Sequence, residues 1–197
     1  MPDKQYGPWT ITGSREVFQS EFITLRNDDV LKPDGSPGTY ATARVKSGVA
    51  VLPVDEHGQV YLVKQFRYAI GRDSVEVISG GIDDAEPPAE AVRREAEEEA
   101  GIVAGSWTDL GHIDLDTSIV KGPVYLFLAR DLQFRETHRE ATEQMEILKV
   151  PYAEALRMVQ ESNITHSPSC VLILKARDLV QGDRRPEEGR PEEGAPD

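Results

Sequence analysis

Residues 80–102 read GGIDDAEPPAEAVRREAEEEAGI: paired glycines, paired prolines, then arginines and glutamates closing on Ala-Gly-Ile. Prolines suit the first turn of a helix, where the missing N–H costs little. A glycine suits its end. The stretch therefore predicts a helix over about residues 88–100, stopped by Gly101. At about 100° per residue, Val92, Ala96 and Ala100 form an apolar stripe that can face a core. Glu95, Glu98 and Glu99 share one arc beside that stripe, with Arg93 and Glu97 on the outer side. Like charges on adjacent turns repel unless a cation sits among them. Arg94 is one such cation; a hard divalent ion held by carboxylate oxygens is a better one. Gly80 and Gly81 let the backbone turn after a strand, and Glu86 sits near the helix N-terminus, where the dipole favours a carboxylate. A solvated, glutamate-rich helix surface is the competing reading.

On either side of this stretch, short alternating or β-branched runs dominate. EFITLRNDDV and TYATARV flank the turn KPDGSPG and predict a β-hairpin over residues 21–46. GVAVLPV and QVYLVKQFRY follow, separated by DEHG, and SVEVIS leads as one strand into the opening stretch. WTDLGHIDL, PVYLFLARDL and MEILKVP are the later strand candidates. Two further helices are predicted, over about residues 152–161 and from SPSCVLILKARDLV, where Ser167 can cap and Pro168 can take the first helical position. The pattern is that of an α+β domain built around a sheet. The tail, residues 182–197, repeats RPEEG and is too rich in Pro, Gly and Glu to bury a core, so it is expected to be disordered.

The formal net charge of −13 argues against nucleic acid held in a basic groove. No apolar run approaches the roughly 18–20 residues that span a bilayer, and the N-terminus lacks a signal-peptide core. The one cysteine, Cys170, excludes an internal disulfide and a thiolate metal cluster, and is expected as a buried apolar residue of the last helix. A cytoplasmic protein with no nucleic-acid or membrane partner is the expectation.

Spacing decides between the two readings of the glutamates. Gly80, five residues, Glu86, seven residues, Arg94-Glu95-Ala96, one residue, Glu98-Glu99, one residue, Gly101-Ile102 resembles the Nudix box, G-x5-E-x7-R-E-U-x-E-E-x-G-U, with Ala96 small for its U position. KQFRYAI and VEVISGG ahead of the box resemble the ADP-ribose and nucleoside-diphosphate-sugar pyrophosphatase branch. That resemblance implies a Nudix-type α/β/α sandwich around a mixed sheet, spanning residues 48–181. It also implies that residues 1–47 form a β extension of the kind that builds a domain-swapped homodimer.

The resemblance implies a chemistry as well: Mg2+-dependent hydrolysis of the pyrophosphate bond of a nucleoside diphosphate linked to a sugar, with Mn2+ as a substitute. The products would be a nucleoside monophosphate and a sugar phosphate. By the same likeness, Glu95 and Glu99 are metal ligands, Glu98 is a further ligand or bridge, and the carbonyl of Ser79 completes the site. Arg94 would hold the glutamates by ion pairing and Glu86 would support the loop. A base would come from the acidic loop RETHREATEQMEIL, Glu143 first and Glu140 second. Arg67 is the candidate for substrate phosphates, and Glu76 for the terminal sugar or a metal. Phe66, Tyr68, Trp9 and Trp107 could stack on a base, though core is the expected role of most; His112 and His138 could touch substrate, with exposed loop residues the more ordinary reading.

Two departures accompany the match. Ile78 stands where the family often has proline, and Thr117 lies near where the ADP-ribose branch tends to carry one. Base and sugar therefore stay open among ADP-ribose, GDP-mannose, UDP-glucose and CDP-alcohols. The alternatives are a hydrolase sanitising oxidised nucleoside triphosphates and a non-catalytic nucleotide-sensing domain.

Overall fold

The computed structural model describes residues 3–135 and 145–182; the expected disordered tail lies, from residue 183 onward, outside the described residues. The chain opens with β1 (Lys4–Tyr6), β2 (Trp9–Gln19), β3 (Ile23–Leu31) and β4 (Pro37–Val45), paired antiparallel in that order. β3 and β4 are the hairpin expected around KPDGSPG, in register from Ile23↔Val45 to Leu31↔Pro37. These strands bury little of their own surface, leaving Val17, Phe18 and Phe22 exposed.

The remaining strands are β5 (Gly48–Pro53), β6 (Gln59–Arg67), β7 (Arg72–Glu76), β8 (Ile78–Gly81), β9 (Ile102–Asp114), β10 (Val120–Lys121), β11 (Pro123–Phe134) and β12 (Met145–Pro151). Four form one sheet in the order β8-β5-β11-β9 and three form another, β12-β6-β7, while β10 joins the N-terminal sheet beside β4. β5 and β11 run parallel within an otherwise antiparallel sheet. The helices are α1 (Pro88–Ala100), α2 (Tyr152–Gln160), α3 (Ser167–Lys175) and α4 (Arg177–Gln181).

Alternation along the central strands feeds two cores. Val49 and Val51 of β5, Tyr61 and Val63 of β6 and Phe127 and Ala129 of β11 pack with Ala91, Val92, Ala96 and Ala100 of α1. Their neighbours Ala50, Leu52, Val60, Leu62, Leu126 and Leu128 point the other way, to Tyr152, Ala155, Leu172 and Ile173 of α2 and α3. Each fully buried Val or Leu contributes about 1.5–3 kcal/mol. Helices on both faces of the strands make the α/β/α sandwich, with the N-terminal sheet added to it.

Three local expectations are corrected. SVEVIS is not one strand: it breaks at Val77, because Glu76 pairs with Val63 in one sheet and Ile78 with Val51 in the other. The last helix divides at Ala176, which turns α4 so that Val180 joins the same core as Leu172 and Ile173. Ser167 is the first residue of α3 rather than its cap, a place taken by His166.

Candidate active site

The site begins where β8 delivers Gly80 and Gly81 into a loop that ends at α1. Pro87 precedes the helix with extended backbone and Pro88 opens it. Gly101 closes it at φ 63, a left-handed conformation that glycine adopts without steric cost, and its N–H reaches the carbonyls of Ala96 and Glu97. The apolar stripe is buried as expected: Val92, Ala96 and Ala100 all face the core. That rotation fixes where the carboxylates stand.

Arg94 organises them. Its Nε and one terminal nitrogen grip Glu86, both at 2.9 Å, in a bidentate pair. The same terminal nitrogen donates to the Gly81 carbonyl at 2.9 Å. The other bridges Glu95 at 2.8 Å and Glu98 at 3.1 Å. Glu86 also accepts from the Asp83 amide at 3.0 Å, which closes the loop onto the helix. Arg94 lowers the Glu86 carboxyl to about 2, and hydrogen bonding to Glu86 raises the guanidinium above its ordinary value. Glu95 behaves differently: burial pushes its carboxyl up despite Arg94 alongside. From the segment before β5, Lys46 ties the loop again, its Nζ 2.7 Å from Asp83.

Gly80 is required by contact. A Cβ added there would fall inside the Glu95 carboxylate, so the strand backbone itself packs against that side chain. Ser79 lies one residue earlier in β8, opposite Ala50. One carboxylate oxygen of Glu99 is fully buried beside the helix. Three carboxylates on adjacent turns are a hard-oxygen donor set of the kind a divalent ion takes. The buried charge of Glu95 is one that a cation would stabilise. Among the described residues no three acidic or histidine side chains converge into a ready-made cage, and Arg94 spans Glu95 and Glu98 instead.

A second cluster lies where β7 passes into β8. Arg67, from the end of β6, forms a bidentate pair with Glu76, with Nε 3.0 Å from Oε1. The Glu76 side chain is 3% exposed and the Arg67 side chain 39%. Burial opposes the Glu76 charge, yet hydrogen bonding from Arg67 keeps its carboxyl below the usual value. His166 approaches from the start of α3, its Nδ1 2.8 Å from Ser169 Oγ and 3.6 Å from Glu76. Burial lowers the His166 imidazole, against the pull of Glu76. His166, Ser169, Lys46 and Asp83 carry no motif of their own, and no spacing in the sequence singles them out.

The other candidates are scattered. Glu140, Glu143 and His138 lie outside the described residues. Of the aromatic candidates only Trp107 packs against the core, half-buried beneath the Arg93 guanidinium; Phe66 and Tyr68 are exposed, and Trp9 packs edge-on against Tyr40. His112 is exposed, but on β9 rather than a loop. Cys170 is only half-buried. No helix among the described residues is long and apolar enough to cross a membrane.

A NUDIX domain model matches residues 44–170, and a nucleoside diphosphate sugar hydrolase N-terminal domain model matches residues 9–42. The chain is 28% identical over 173 residues to an ADP-ribose pyrophosphatase of Bacillus subtilis (strain 168), covering 86% of this chain and 94% of that protein. It is 29% identical over 187 residues to a GDP-mannose pyrophosphatase of Klebsiella pneumoniae, covering 85% and 92%. The crystal structure of an ADP compounds hydrolase superposes with a TM-score of 0.79 over 92% of this chain and 99% of that one, at 21% identity, which bears on the fold alone. The chain belongs to the Nudix family and is a Nudix hydrolase, acting on pyrophosphate bonds.

Proposed function

We infer that the protein hydrolyses the pyrophosphate bond of a nucleoside diphosphate linked to a sugar, giving a nucleoside monophosphate and a sugar phosphate. The observation that carries this is the Glu95 carboxylate of α1 seated against Gly80, with Arg94 tying Glu95 and Glu98 to the loop through Glu86 and the Gly81 carbonyl. The match of residues 9–42 to a nucleoside diphosphate sugar hydrolase N-terminal domain favours a nucleotide sugar over a nucleoside triphosphate. The names of the relatives support the same class.

Glu95 and Glu99 are the proposed Mg2+ ligands, with Glu98 as a further ligand and the Ser79 carbonyl completing the site. Bound Mg2+, or Mn2+ in its place, neutralises pyrophosphate charge and lowers the pKa of an attacking water. Arg94 and Glu86 hold the loop and helix at fixed separation, which preserves the alignment that an in-line displacement needs. Arg67 offers a half-exposed guanidinium to phosphate oxygens, while buried Glu76, the proposed contact for the sugar, orients it. Glu143, then Glu140, are the proposed bases. Val17 and Phe18 of β2 and Phe22 in the bend after it leave apolar surface on the N-terminal segment, which supports a homodimer formed through residues 1–47; a cytoplasmic location is proposed with it.

A panel of ADP-ribose, GDP-mannose, UDP-glucose and CDP-alcohols, assayed with Mg2+ or Mn2+ and a phosphatase-coupled readout, tests the function. Release of phosphate from at least one is expected. No signal across the panel would overturn the reading. Glu99→Gln is expected to lower kcat by several orders of magnitude; survival within a few-fold would remove Glu99 from the metal shell.

A further inference from the structure

Val77 stands at the point where the chain leaves one sheet for another, between β7 and β8. Its amide is buried and takes no strand partner there; it donates instead to Ser169 Oγ at 2.9 Å, across 92 residues of sequence. Ser169 in turn meets His166 Nδ1 at 2.8 Å, and that same nitrogen lies 3.6 Å from Glu76 Oε2. One residue before His166, Thr165 accepts from Arg72 at 3.0 Å. The start of α3 is therefore fastened to β7 and to the crossover by three separate polar contacts. Ser169 Oγ accepts from the Val77 amide and holds His166 Nδ1, which leaves the imidazole packed against the Glu76 carboxylate at 3.6 Å rather than hydrogen-bonded to it.

We propose that His166, held by Ser169, is a positioning residue for substrate: it fixes Glu76, and Glu76 fixes the guanidinium of Arg67 in the orientation that receives the nucleotide-sugar phosphates. The inference rests on the reading of Arg67 as a substrate residue. A buried carboxylate gripping a half-exposed guanidinium by two hydrogen bonds leaves that guanidinium little freedom. What remains undetermined by the pair alone is rotation of the carboxylate itself. Ser74 hydrogen-bonds the carboxylate from its own strand, and His166, itself held by Ser169, packs against it from a different layer of the fold. The imidazole is not placed on the reacting atoms; its effect passes through Glu76 and Arg67, on binding rather than on the chemical step.

The test measures kcat and KM, with Mg2+ and whichever panel substrate is turned over best, for Arg67→Ala, His166→Leu, His166→Asn and the double variant Arg67→Ala/His166→Leu. His166→Leu is expected to raise KM about tenfold, the scale of a small misplacement of a binding group, with kcat within about twofold. His166→Asn, whose amide nitrogen can replace Nδ1, should restore most of the KM. In the Arg67→Ala background, His166→Leu should change KM no further. If Arg67→Ala raises KM but His166→Leu does not, the positioning role is overturned and the Arg67 reading stands. If Arg67→Ala leaves KM unchanged, both fall together. If His166→Asn is as impaired as His166→Leu and melts as early, the residue is structural and the proposal is overturned.

Discussion

Gly80 and Glu95 meet with no space for a side chain between them, because the end of β8 runs directly beneath the Glu95 carboxylate. That contact couples strand position to the orientation of a proposed metal ligand. Gly80→Ala forces either the strand or the carboxylate to move. The Glu95 carboxylate is the end of a flexible side chain, so the fold yields there first, at a cost of about 1–3 kcal/mol. Activity is expected to fall far more than stability, by about 100-fold in kcat. Parallel measurement of kcat and Tm checks this; a proportionate loss of both would show that the strand, not Glu95, gives way.

The box helix was legible because its information is local. Pro87, Pro88 and Gly101 mark its ends, and Val92, Ala96 and Ala100 fix its rotation, so the arc of Glu95, Glu98 and Glu99 follows from geometry within one helix. The break at Val77 was not legible. SVEVIS reads as one alternating strand, and only the choice of Val63 and Val51 as separate partners divides it. His166 and Ser169 reach the Glu76 region across about ninety residues, a juxtaposition decided by how α3 packs rather than by any spacing.

The Arg94–Glu86 pair predicts a pH dependence. Glu86 has its carboxyl lowered from 4.5 to about 2 by Arg94. A depressed folded-state value means that the stabilisation is fully present above about pH 4.5 and is lost as pH falls toward 2. Glu86→Gln should therefore melt below the wild type at pH 7, and the gap should narrow steadily between pH 4.5 and 2. A gap that stays constant over that window would show that the pair does not act through charge.

Arg94→Lys tests geometry at constant charge. An ammonium cannot reproduce the bidentate grip on Glu86 while also reaching Glu95, Glu98 and the Gly81 carbonyl. The variant is expected to lose about tenfold or more in kcat with the global fold retained by far-ultraviolet circular dichroism. Activity equal to wild type would reduce Arg94 to a source of positive charge.

Metal binding can be read without turnover. A ligand that binds only the folded state adds about 2.7 kcal/mol at one hundred times its Kd, so Mg2+ should raise the Tm of the wild type in a concentration-dependent way. Glu95→Gln and Glu99→Gln remove charge from the proposed ligand set and should abolish most of that rise. Glu97→Gln lies on the outer side of α1, where Glu97 pairs with Arg135 at 2.8 Å, and should leave it intact. Because Glu95 is buried and its carboxyl already pushed up, Glu95→Gln relieves a desolvated charge and should itself melt no earlier than wild type without Mg2+. A variant that melts early and still gains the full Mg2+ shift would place the ion away from Glu95.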